Sequence, residues 1–224
     1  METNQRLVLG IESTAMPYGV TIMEAEKIIF NTLDHEELRQ IKDVPELVKK
    51  ALDATGRQAR DLSAIFVNQG PGGTSSVRSG ISFANSLAYS LKIPVAAVNA
   101  FELMGKAAAA RFKCPVLITI KSIRGTAYGG WFAEGQLQKT LYGPFQEVVE
   151  KLADTTTEFA VAGAHRAKII ALYPQRKIHD SGRKFGLVND LVDFLPELDQ
   201  RLMHFPKYAL PLTEQSELFK ENSL

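Results

Sequence analysis

The chain has 224 residues, 45% hydrophobic and 23% charged, a usage that excludes a disordered, collagen-like or coiled-coil protein and leaves room for one large domain or two small lobes. Lys and Arg number 26 against 25 Asp and Glu, a formal net charge of +1, so no global basic field exists and a stand-alone nucleic-acid binder is not expected. The single cysteine, Cys114, cannot close an internal disulfide, the polar start Met1 to Arg6 has no apolar signal core behind it, and no uncharged apolar run has the length of a spanning helix. A cytoplasmic protein without membrane contact is expected.

Arg6 to Glu12 (RLVLGIE), Tyr18 to Met23 (YGVTIM) and Lys27 to Leu33 (KIIFNTL) are short aliphatic runs broken by turn residues, and predict three antiparallel strands. Asp43 followed by Glu46 has capping-box spacing, and Pro45 sits where first-turn proline is tolerated. Val44, Leu47, Val48, Ala51 and Leu52 then repeat at helical spacing, which predicts a helix from Val44 to Thr55 stopped by Gly56. Ala64 to Asn68 reads as a strand buried on both faces, Ser76 to Leu91 as a helix, Pro94 to Val98 as a second buried strand and Ala100 to Phe112 as an alanine-rich helix.

The same order then begins again. Pro115 to Lys121, Thr126 to Ala133 and Gln136 to Leu141 are strand-like, and Gln146 to Ala153 is helix-like. A strand at Phe159 to Ala162, a helix at His165 to Leu172, a strand near Lys177 to His179 and a helix at Lys184 to Leu195 follow. Two passes of three strands and then alternation predict a duplicated α/β fold, with lobes at 1–113 and 114–224. The segment after Leu202 reads as a surface strap with a frayed tail.

Few constellations carry chemistry. Gly70, Pro71, Gly72 and Gly73 lie between a buried strand and a helix, where backbone amides can face an anion; a tight packed turn fits the same residues. Neither Walker A nor GxGxxG spacing is present. Ser75 and Arg78 follow in the helix start and join Gly70, Gly72 and Gly73 as a weak anion or nucleotide site. Glu12, Ser13 and Thr14 at the first bend are read as a plain turn, because Ala15, Met16 and Pro17 replace the glycine that lets such a bend approach phosphate. His35, His165, His179 and His204 show no metal-binding pair spacing, Cys114 reads as a packing residue, and Ser75, Ser76 and Ser79 lack an elbow motif. No catalytic or metal-ligating residue is assigned. The basic pairs read as solvated surface.

Leu7 to Thr14 (LVLGIEST), Val67 to Gly80 (VNQGPGGTSSVRSG), the helix to Leu91 and Ile93 to Val98 (IPVAAV) resemble the TsaB family, the actin-like, non-catalytic partner in synthesis of threonylcarbamoyladenosine on tRNA. Gly70, Pro71, Gly72, Arg78 and Gly80 fall in register with the family's GPGSFTGLRIG-like stretch. Ile120 to Tyr128 (IKSIRGTAY) is similar to a second family stretch, IDARRGEVY, but places Lys121 and Ile123 where acidic and basic residues are usual. Glu12-Ser13-Thr14 is closer to the catalytic paralogue TsaD, whose histidine metal motif is absent and whose length this chain does not reach.

The resemblance implies an actin/Hsp70/sugar-kinase fold and a scaffold that binds a TsaD-like catalytic subunit, with a TsaE-like ATPase as a further associate. ATP and metal would belong to the partner, tRNA would be met only through the complex, and the chain would pair with itself when alone. The expected docking surface is Leu47, Val48, Ala51, Val77, Ile81, Ala84 and Ala88. The other readings are a small actin-fold kinase or acyltransferase using Gly70 to Gly73, and, weakest, a metallopeptidase.

Overall fold

Two five-stranded sheets organise the chain, and the computed structural model describes residues 6–204 and 208–220. In the first sheet β1 (Leu7–Glu12), β2 (Gly19–Glu24) and β3 (Lys27–Asn31) are antiparallel, and β4 (Leu62–Asn68) and β5 (Val95–Val98) run parallel to β1. The order is β3-β2-β1-β4-β5. β1 and β4 are buried almost throughout their length, whereas edge strand β3 alternates exposed and covered residues.

The second sheet contains β6 (Val116–Lys121), β7 (Thr126–Ala133), β8 (Gln136–Pro144), β9 (Glu158–Gly163) and β10 (Lys177–Asp180). Its order, β8-β7-β6-β9-β10, repeats that of the first sheet strand for strand, so the duplication read from element order is a duplication of topology.

Helix α1 (Val44–Thr55) begins and ends where its capping residues dictate. Asp43 accepts from the Glu46 amide at 3.2 Å, and Gly56 takes the left-handed conformation at φ 64°. Helix α2 (Thr74–Leu91) starts two residues before its predicted limit. Both pack on the first sheet, and their apolar faces join Leu9, Ile11, Ile22, Ile65 and Val67 in one core.

Helix α3 (Ala100–Phe112), opened by a capping box of Asn99 and Glu102, belongs elsewhere. Phe101, Met104 and Ala108 pack with Ile118, Tyr128 and Phe132, and Gly105 approaches Phe132 so closely that a Cβ would lie 2.5 Å from the ring. The chain accordingly divides differently from the expected cut after residue 113. One unit takes the residues up to Val98 with Leu187–Pro211, and the other takes Asn99–Gly186 with the residues from Leu212. Helices α4 (Phe145–Ala153) and α5 (Arg166–Leu172) cover one face of the second sheet, around Leu117, Val148, Phe159 and Ile169.

The C-terminal third departs from expectation in two places. The predicted helix at Lys184 to Leu195 is instead a 3-10 helix over Val188–Glu197 that runs into α6 (Leu198–His204). Its buried residues Val188, Leu191 and Phe194 recur every three positions, the 3-10 period, and Pro196 supplies no amide donor for an α-helical bond. The tail is not frayed up to residue 220: α7 (Glu217–Lys220) buries Phe219 completely, 6.1 Å from the Phe101 ring and 5.2 Å from Tyr128. One aromatic outweighs its polar neighbours. The strap is present, since the Asn85 amide both donates to and accepts from the Ala209 backbone at 2.9 and 3.0 Å. Among the described residues no helix is long and apolar enough to cross a membrane.

Candidate functional site: the glycine turn and the β1 carboxyl end

β1 and β4 run side by side and end together, which brings the first bend against the glycine turn. Glu12, the last residue of β1, is 3% exposed, and its carboxylate is the hub. Oε1 accepts from the Thr14 amide at 2.6 Å and the Thr14 hydroxyl at 2.5 Å, and Oε2 accepts from the Asn68 side-chain amide. Asn68 in turn accepts from the Gly70 amide at 2.9 Å, while the Gly73 amide donates to the Thr14 carbonyl at 2.9 Å. Burial pushes the Glu12 carboxyl up to about 7 despite these donors, and Asp190 adds to the rise.

The glycines are needed for contact. Gly70 has φ 93°, and a Cβ on Gly72 would lie 2.6 Å from Thr14 Cβ and 2.8 Å from its carbonyl oxygen. Deeper in α2, a Cβ on Gly80 would meet Ser13 Oγ at 2.1 Å, and that hydroxyl donates to the Ser76 carbonyl at 3.0 Å. Gly80→Ala is therefore expected to lower stability by about 1–3 kcal/mol, with partial recovery in Ser13→Ala/Gly80→Ala. Thermal denaturation of the three proteins checks this, and equal losses in the single and double variants would refute the contact.

The residues assigned to a weak anion site are only partly together. Gly70, Gly72 and Gly73 form the turn, but the Gly70 and Gly73 amides are engaged within it. Ser75 and Arg78 lie exposed further along α2. The sequence reading assigns no role to Asn68 and a plain bend to Glu12; a polar residue closing a buried strand is the signal for both. Among the described residues no three His, Cys, Asp or Glu side chains are grouped to hold a metal.

The expected docking residues require correction. Leu47, Val48, Ala51, Val77, Ile81, Ala84 and Ala88 are all buried in the first unit's core, because the apolar stripes of α1 and α2 face their own sheet. A groove beside the two helices shares only Val48 with that set. Pro45, Val48, Leu52, Ala59, Phe83 and Leu87 line this shallow groove of about 330 Å³, together with Lys49, Asp53, Arg57 and Gln58.

A repeated sheet of this order, with a glycine turn after the fourth strand, defines a duplicated actin-like protein. A profile described as "TsaD: tRNA N6-adenosine threonylcarbamoyltransferase" matches residues 39–213, and the chain belongs to that family. It is 26% identical over 234 residues to the tRNA N6-adenosine threonylcarbamoyltransferase of Neorickettsia sennetsu, covering 88% of this chain and 69% of that protein. It is also 28% identical over 97 residues to the tRNA threonylcarbamoyladenosine biosynthesis protein TsaB of Bacillus subtilis, covering 43% of this chain and 42% of that protein. The chain thus spans between about two fifths and two thirds of these relatives' lengths.

The fold is that of a Pseudomonas aeruginosa crystal structure described as an uncharacterized protein with similarity to peptidase YEAZ. The TM-score is 0.75 at 19% identity, over 93% of this chain and 99% of that one. The family match over 39–213 runs into the second unit, where the divergent stretch Ile120 to Tyr128 spans the end of β6 and the start of β7.

Proposed function

We propose that this chain is a TsaB-like, non-catalytic subunit that docks on and activates a TsaD-like transferase in threonylcarbamoyladenosine modification of tRNA. The observation that carries this reading is the closed site. The acidic residue at the β1 end is engaged by Thr14 and Asn68, and two amides of the glycine turn are engaged inside it. ATP, metal and carbamoyl transfer belong in this scheme to the partner, with a TsaE-like ATPase as a further associate and the cytoplasm as the setting.

The partner surface is the outer side of α1 and α2. Phe83 and Leu87 are half-buried there beside Pro45, and the groove joins these apolar side chains to Lys49, Asp53 and Arg57, a mixed lining suited to an amphipathic helix from another subunit. The same surface lets two copies pair when the partner is absent. Affinity co-purification with the TsaD-like chain of the same genome tests the reading, together with the level of modified tRNA after deletion. Capture of the transferase and loss of the modification are expected. Turnover of ATP and threonylcarbamoyl donor by this chain alone would overturn the reading.

A further inference from the structure

The near-zero net charge hides an asymmetry. The second unit carries 14 Lys and Arg against 10 Asp and Glu, a net of +4, whereas the first carries 12 against 15, a net of −3. Part of the excess gathers at one edge of the second sheet, where β6 and β9 end.

Lys121 closes β6 and is exposed, and Arg124 lies in the following turn at φ 51°. The Gly125 carbonyl beside it accepts from the Phe145 amide at 3.1 Å. Lys168 of α5 places its ammonium 4.2 Å from the centre of that same Phe145 ring, and the His165 ring lies 4.6 Å from it. The Gly163 amide donates to the Arg183 carbonyl at 2.8 Å, which brings the 181–186 loop to the same edge. The nearby carboxylate of Asp180 is paired with Arg166 at 2.6 Å. Lys121, Arg124 and Lys168 have no carboxylate partner among the described residues.

Polar groups at this edge are also left unmatched. Thr119 Oγ1 and His165 Nδ1 are buried without a hydrogen-bond partner, and the Thr119 carbonyl accepts from the Ala164 amide at 2.8 Å, which joins the two segments. Thr119 shares the face of Leu117 and Lys121, the face that α4 and α5 cover. Unsatisfied buried polar atoms are uncommon in folded proteins, and of these two His165 Nδ1 belongs to the half-buried ring that feels the charges of Lys168 and Lys121.

We propose that this edge of the second unit binds the phosphate backbone of RNA through Lys121, Arg124 and Lys168, with His165 beside them. Three exposed cations drawn from two chain segments suit a row of separate phosphates, each contributing by counterion release. The choice of RNA among polyanions rests on the proposed function. Burial and the fields of Lys168 and Lys121 hold the His165 imidazole below its ordinary range. A phosphate at the lysines cancels that field and raises it.

The test is fluorescence anisotropy of a labelled tRNA transcript with the full chain, between about 50 and 200 mM salt. Three phosphate contacts give a slope of log K against log salt of about −3, and Lys121→Gln and Lys168→Gln each reduce its size by about 1. NMR titration of His165 is expected to show a higher pKa with RNA present. An unchanged slope in the double variant, an unmoved His165, or binding of polyglutamate as tight as that of RNA would each overturn the proposal. Co-purification of the same variants with the transferase separates the two readings. Loss of RNA binding with capture retained supports the edge assignment, whereas RNA binding through this edge without any transferase capture removes the subunit assignment and leaves this one standing.

Discussion

Ala84→Glu is expected to unfold the first unit. Ala84 is fully buried between α2 and the first sheet, so the new carboxylate has neither water nor a partner. The loss is about 4 kcal/mol or more, a large part of the roughly 5–15 kcal/mol that holds a domain together. Urea denaturation followed by circular dichroism reads it directly, and a midpoint within experimental error of the parent would show that the α2 inner face is not core. Leu87→Glu, one turn along on the outer side, is the counterpart. There the carboxylate reaches water and only the packing of a half-buried leucine is lost, so stability falls by about 1–2 kcal/mol while transferase capture falls at least about tenfold. Capture undiminished in a folded Leu87→Glu chain would move the docking surface elsewhere.

Between pH 4.5 and 7, stability is expected to fall as pH rises, by about 3 kcal/mol from Glu12 alone. The folded-state carboxyl titrates at about 7 and the unfolded one at the ordinary 4.5. Across that window the folded chain therefore holds the proton that the unfolded chain has released, and each step upward in pH favours unfolding. Below the window both states are protonated and the contribution is whole; above it both are ionised and the slope vanishes. His165 works in the opposite sense over the range below its ordinary 6.5, because its lowered pKa makes the unfolded state the better proton acceptor. Comparison with Glu12→Gln isolates the carboxyl: the difference in unfolding free energy between parent and variant should itself vary with pH in this window. A constant difference would show that Glu12 is ionised throughout.

The two sheets were legible because their signal is local. Runs such as LVLGIE and AIFVN are apolar on both faces, and the capping pairs Asp43/Glu46 and Gly56 fix α1 within a residue. The closed site was only half legible. The glycines announce a turn, but that Glu12, Thr14 and Asn68 fill its hydrogen bonds depends on β1 and β4 ending side by side, a pairing across 56 residues. The docking residues failed for a related reason: helical spacing identifies which face of α2 is apolar, and an apolar face is first of all the face that its own sheet covers.

Composition, capping and strand patterning by themselves determined that the chain is a globular α/β protein, built twice from three strands followed by alternation. Those features act over a few residues and require no knowledge of neighbours. Tertiary structure alone decided that α3 joins the second sheet, that Phe219 anchors the end of the described chain, and that Lys121, Arg124 and Lys168 share one edge. Each depends on side chains far apart in sequence meeting across a packed interface, where shape and burial, not local propensity, choose the partner.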